Sequence, residues 1–230
     1  MKRVFIVQSN YIPWKGYFDA INLSDEFVIY DDVQYTKRDW RNRNRIKTPN
    51  GIHWLTIPVI VKGKYHQKIS DTMISDNKWT SRHWETITNF YSRAEYFKEY
   101  KTLFEELYLD CREEYLSGIN YRFLSGINSI LGIKTRITWS KDYQLVEGKT
   151  ERLLEICRQL NATEYLSGPA AKDYLDEDLF LKENIKVSWM DYSGYPEYTQ
   201  LFPPFEHSVS IIDLIFNEGP NAKKYMKSFH

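Results

Sequence analysis

Val4 to Gln8 is a continuous apolar run that stops at a loop carrying Asn10, Pro13 and Gly16. Such a run reads as a strand covered on both faces. From Gly16 onward Tyr17, Phe18, Ile21 and Leu23 fall at near-helical spacing up to Ser24 and Asp25, and Phe27 to Tyr30 then forms a second apolar run ending on Asp31 and Asp32. Strand, loop, helix and strand in succession predict a βαβ unit with parallel strands and a right-handed crossover.

Beyond Asp32 the pattern lapses until Ile52 to Val61, a β-rich run broken by Pro58. Proline there predicts an edge position or a bulge. Pro49, Asn50 and Gly51 supply turn chemistry, so a hairpin is expected between residues 45 and 61. Helical stripes fill the middle: Ser81 to Tyr91, Tyr96 to Tyr108, and Tyr115 to Leu131 with Gly132 as its cap. A short strand at Arg136 to Trp139, a helix from Thr150 to Leu160 and a strand at Glu164 to Leu166 follow. This last strand breaks at Ser167, Gly168 and Pro169, and short helical pieces lead to a final strand at Ile185 to Met190. Asp191 to Phe205 is too proline-rich for a regular element, and Ser208 to Phe216 returns to a helical pattern. The expectation is a single α/β domain over residues 1–230. It has three layers, a mainly parallel sheet with helices on both faces, a nucleotide-binding-like N-terminal βαβ unit and a helical insertion over about residues 79–132.

Composition narrows the function classes. The 31 basic and 31 acidic residues balance, so attraction to nucleic acid or membrane needs a local patch, and no nucleic-acid partner is expected. No apolar run is long enough to span a bilayer, and no charged-then-apolar leader opens the chain, which makes the cytoplasm the expected compartment. Cys111 and Cys157 lack metal-site spacing and read as core thiols. Aromatic residues make up 16% of the chain, suited either to a core or to a cleft for sugars and nucleobases.

Candidate chemistry gathers at the predicted strand ends, where open α/β sheets bind ligands. Amides at the Gly16 helix start attract phosphate or carboxylate. Six Lys or Arg residues lie between Lys37 and Lys47 with only Asp39 to balance them, and arginine forks match oxyanions bidentately. Asp32, at a strand end, could hold Mg²⁺ or act as a general base, while adjacent strand residues face opposite ways, so Asp31 and Asp32 should not share one site. The bland account of the pair is a solvated cap on the next segment. His207, beside Glu206, could shuttle a proton, but a helix-start role is the commoner use of such a residue.

The stretches QSNYIPWKGYFDAI (Gln8 to Ile21), DEFVIYDDVQYTK (Asp25 to Lys37), WRNRNRIK (Trp40 to Lys47), GIHWLTIPV (Gly51 to Val59), EYLSGPAAKDYL (Glu164 to Leu175) and HSVSIIDLIFNEGP (His207 to Pro220) resemble the WbqC-like family. The resemblance spans nearly the whole chain. It implies a place in bacterial surface-polysaccharide assembly, with transfer of a glycyl or other acyl group onto a sugar as one suggested role.

The leading expectation is an enzyme that aminoacylates or acylates a nucleotide-linked or lipid-linked sugar, with Mg²⁺ or ATP as possible cofactors. In it the Gly16 amides with Lys37, Arg41 and Arg43 hold phosphate, and Gln8, Asn10 and Asn44 bond sugar hydroxyls. Asp32 is base or metal ligand. Tyr11, Pro13 and Gln34 complete the expected site, and Ser167, Gly168 and His207 form its opposite rim. The alternatives are a non-catalytic glycan-binding or scaffold protein and a metal-dependent glycosyltransferase.

Overall fold

The computed structural model describes residues 1–229. Its first three elements are β1 (Arg3–Val7), α1 (Lys15–Asn22) and β2 (Glu26–Ile29). A hairpin of β3 (Arg43–Thr48) and β4 (Gly51–Thr56) precedes three long helices, α2 (Trp79–Tyr91), α3 (Phe97–Leu109) and α4 (Leu116–Leu131). Alternation then resumes with β5 (Arg136–Trp139), α5 (Lys149–Gln159), β6 (Glu164–Ser167), α6 (Glu177–Lys182) and β7 (Lys186–Trp189), and α7 (Ile211–Glu218) closes the series.

The main sheet is ordered β5-β2-β1-β6-β7 with every pairing parallel. Both faces are covered, as a parallel sheet requires. Successive strand side chains face opposite ways. Phe5 and Phe27 therefore point into one core, shared with α1, the three long helices and α7. Val4, Ile6 and Val28 point into the other, against Leu153, Ile156 and Cys157 of α5 and Phe180 of α6. The three-layer α/β expectation is met. From β1 the chain works outward to β2 and β5, and then crosses back to β6 on the other side of β1. Strand order therefore reverses between β1 and β6.

Local chemistry sets the element ends. Gly132 adopts φ 66° and closes α4 with its N–H on the Asn128 and Ser129 carbonyls, as a left-handed C-cap should. Asp176 caps α6 at the Asp178 and Leu179 amides. Ser210 caps α7 at the Ile212 amide, so this helix starts at Ile211 rather than beside His207. The expected β-run to Val61 stops after one further ladder bond: Ile57 donates to the Asn42 carbonyl at 2.7 Å, continuing the Arg43–Thr56 register, and Pro58 follows.

The hairpin forms its own two-stranded sheet, with Arg45 opposite Trp54. Asn44 ties it to the β1–α1 loop by donating to the Tyr11 and Ile12 carbonyls, both at 3.0 Å. Ser210 N–H donates to the Arg45 carbonyl at 2.8 Å, which fixes the hairpin to the start of α7.

Candidate functional site

A crevice opens at the carboxyl ends of β1 and β6, where strand order reverses, and parallel α/β sheets hold ligands at such a point. It comprises a cavity of about 420 Å³ and an adjoining one of about 460 Å³, which share Gln8, Tyr30, Leu153 and Tyr174. Aromatic rings make the walls: Trp14, Tyr17, Trp40, Tyr165, Tyr174 and Tyr192, with Trp14 and Tyr192 packed edge to face at 5.3 Å. Burial raises the phenol pKa values of Tyr17, Tyr30 and Tyr174 and pushes that of Tyr192 up to about 12. All four stay protonated at neutral pH and can donate hydrogen bonds.

The polar rim is held from behind. Gln8 lines both cavities, and its carbonyl accepts the Tyr17 hydroxyl at 2.9 Å. Ser9 turns inward and donates its amide and hydroxyl to Asp31. Asn10 turns back to the crevice, where its side-chain oxygen accepts from Arg41. Asn120 of α4 donates at 2.9 Å both to Ser9 Oγ and to the Arg41 carbonyl, so α4 positions this corner. Ser167, Gly168 and Pro169 form the facing edge, with the Ser167 hydroxyl on Tyr165 at 3.3 Å.

Positive charge reaches the crevice from two directions. Arg41 comes from the basic segment, while Lys149 and Arg152 come from the first turn of α5 together with Gly148. Sequence reasoning missed this second source. Its signal was Gly148-Lys149-Thr150 at a helix start, the closing half of a phosphate loop, with Tyr143 standing where such a loop has its first glycine.

Other expected site residues are placed elsewhere. Tyr11 is fully buried and bonds His83 at 2.9 Å and Tyr108 at 2.8 Å, so it is a core residue that no ligand can reach. Asn44 is buried and engaged by loop carbonyls, although one edge borders a smaller cavity with Pro13. The Trp14 indole lies directly over Gly16, covering the helix start expected to hold an anion. Gln34 donates to the Tyr65 carbonyl, Lys37 stands over the Tyr65 ring and Arg43 donates to the Arg38 carbonyl, none of them lining the crevice. His207 is exposed, 3.8 Å from Glu197.

Asp31 and Asp32 do part company, although both lie in the loop beyond the end of β2 at Ile29, so their partners rather than strand alternation separate them. Burial raises the pKa of the Asp31 carboxyl. Asp32 accepts from Ser140 at 2.7 Å and Lys68 at 3.2 Å and lines neither cavity. With one carboxylate engaged by Ser9 and the other by Ser140 and Lys68, the pair does not fit a shared divalent cation. Among the described residues no three His, Cys, Asp or Glu side chains cluster as a metal site. None of the described residues that line either cavity is an Asp, Glu, His or Cys. No helix of the described residues is long and apolar enough to cross a membrane.

The model of the WbqC-like protein family matches residues 8–225. A relative from Mycobacterium tuberculosis, described as "Uncharacterized protein Rv1507c", is 53% identical over 227 residues, covering 99% of this chain and 98% of its own. No solved structure matches.

Proposed function

This chain belongs to the WbqC-like protein family, and on that premise we propose that it is a transferase of bacterial surface-glycan assembly. Family membership suggests a polysaccharide-related role. The finer reading is that the crevice holds a nucleotide-linked or lipid-linked sugar and that a glycyl or other acyl group is passed to it.

The observation that carries this reading is the crevice itself: aromatic walls at the β1/β6 reversal, flanked by Arg41 on one side and Lys149 and Arg152 on the other. Aromatic faces suit sugar rings and nucleobases. Guanidinium forks suit the phosphates that link such sugars to a nucleotide or lipid. In this reading Gln8, Asn10 and Ser167 bond hydroxyls, and the cations hold the phosphates.

Calorimetry of the full chain against nucleotide sugars, ATP and acyl donors tests it. A nucleotide sugar binds, and Arg152→Ala weakens it by about tenfold, as loss of a charge-assisted contact should. Absence of binding to every member of the panel overturns the assignment.

A second reading, a non-catalytic carrier or scaffold for glycan intermediates, draws on the described residues of the crevice lining, which include no acid, imidazole or thiol. Tight binding of the sugar with no acyl product, in the presence of every donor of the panel, would favour it.

A further inference from the structure

Between the β3–β4 hairpin and the β1–α1 loop lies a smaller cavity of about 250 Å³. Its apolar walls are Pro13, Trp14 and Trp40, and its polar lining is Asn10, Asn44, Ser208 and Arg45. Asn10, Trp14 and Trp40 border the large crevice as well, so the two spaces adjoin.

Arg45 differs from its neighbours in the basic segment. Arg41 bonds Asn10, Arg43 donates to the Arg38 carbonyl and Lys47 to the Pro204 carbonyl. Arg45 Nε is closed off from solvent and has no partner. Arg43 Nε is in the same condition, but Arg43 does not line the cavity. Glu206 feels the Arg45 charge, yet its carboxylate is engaged by the Ser208 amide at 2.8 Å and lies outside ion-pair distance of Arg45.

Stacking holds the Arg45 guanidinium in place. It sits 5.2 Å from the Trp40 ring centroid and 5.5 Å from that of Trp54, and the two indoles lie 5.5 Å apart at 32°. A planar fork fixed by two rings, with donor capacity unfilled, is prepared for a planar or tetrahedral oxyanion. No hydrogen bond among the described residues uses the two Nη groups, and unlike Nε they are not closed off from solvent, so they are the donors that an oxyanion in the cavity would meet.

We propose that this cavity is a second ligand site, which binds the oxyanion group, carboxylate or phosphate, of a small polar molecule through Arg45. The Trp40 face packs on its carbon skeleton, and Ser208 and the Asn10 amide complete the polar ring. The site goes beyond the crevice reading, because it takes a different ligand on a different arginine. Its position across Trp14 and Trp40 from the crevice would bring a second reactant next to the first.

The test titrates the full chain at constant ionic strength with acetate, glycine and inorganic phosphate, following tryptophan emission, since Trp14, Trp40 and Trp54 surround the site, and confirming by calorimetry. At least one oxyanion gives a saturable change. Arg45→Gln weakens it by about tenfold or more, and Arg45→Lys, which keeps the charge but loses the fork, by a smaller factor. The acetate and phosphate arms show which oxyanion the site takes, and either supports the proposal. Near-ultraviolet circular dichroism verifies the fold of both variants; should Arg45→Gln fail to fold, Arg45→Lys decides. Arg152→Ala, which alters the crevice, leaves the Arg45-dependent part of the oxyanion isotherm in place, so the two site assignments can fail separately. Lack of saturation with all three anions, or an unchanged isotherm in a folded Arg45 variant, overturns the proposal.

Discussion

Asp31 accepts both donors of Ser9, the backbone N–H at 2.8 Å and the hydroxyl at 2.7 Å, with both residues buried. Through Asn120, the same hydroxyl is joined to α4 and to the Arg41 carbonyl. The loop after β2, the loop after β1, the basic segment and α4 therefore meet at one serine. Ser9→Ala leaves the Asp31 carboxylate and the Asn120 amide each short of a partner. A loss of about 1–3 kcal/mol in urea unfolding is expected, the usual penalty for an unpaired buried polar group. Crevice affinity should fall with it, because Asn10 and Arg41 are aimed by the same corner.

His83 gives a pH dependence with a definite sign. It is buried, with Nδ1 at 2.9 Å from the Tyr11 hydroxyl and Nε2 at 3.2 Å from the Thr56 carbonyl. Burial lowers its pKa from 6.5 to about 4. Below the unfolded value the unfolded chain takes up a proton that the folded chain refuses, so stability present above about pH 6.5 is lost as the pH falls toward 4. The full effect is about 3 kcal/mol. Unfolding curves at a series of pH values should show this slope in the native protein and a flatter profile in His83→Gln. Equal slopes in the two would remove His83 as the cause.

Gly16 is required by close approach. A Cβ there would meet Trp14 Cζ2 at 2.3 Å, and Trp14 borders both proposed ligand spaces. Alanine favours a helix over glycine by about 1 kcal/mol, and overpacking costs about 1–3 kcal/mol. The clash should win narrowly, with a net loss of about 1 kcal/mol for Gly16→Ala. The more telling readout is indole displacement: altered Trp emission, together with weaker binding in the crevice and in the small cavity. A variant more stable than the native protein with unchanged emission would show that the ring shifts freely.

The opening βαβ unit was legible because Val4 to Val7 and Phe27 to Ile29 are apolar on both faces, which a strand buried between two helical layers requires. The α4 stripe and its Gly132 cap were legible for the same local reason. The hairpin was placed by its turn residues, but β3 reads as a charged segment because Ile46 is its one apolar side chain and its arginines lie against tryptophan rings. At the site, Gln8, Asn10, Ser167 and Gly168 were expected from strand-end logic and Arg41 from the basic segment, and all five line the crevice. Lys149 and Arg152 were not, since only the crossing of the chain from β5 back to β6 brings the start of α5 beside Gln8 and Tyr30. Tyr11 is polar at one atom only, and nothing local distinguishes a tyrosine that faces a cleft from one that meets His83 and Tyr108 in the core.

Asp213 on α7 accepts from the Tyr91 and Tyr198 hydroxyls, each at 2.7 Å, and from Gln200 at 2.9 Å, which fastens the proline-rich segment to α2 and α7. Burial raises its carboxyl pKa above 3.8 against the lowering effect of those donors. The native state therefore holds this proton more tightly than the unfolded chain. The associated stability is complete below about pH 4 and is lost as the pH rises through the raised native value. In Asp213→Asn that titration is gone, so the stability gap between native protein and variant should narrow as the pH rises from about 4 to 7, with the variant still the weaker by about 1–3 kcal/mol because an amide nitrogen now faces a donor. Because Gln200 also donates to the Glu206 carbonyl at 3.0 Å, beside Ser208 of the small cavity, the same substitution should weaken oxyanion binding at Arg45. A gap that widens with pH would reverse the sign assigned to Asp213.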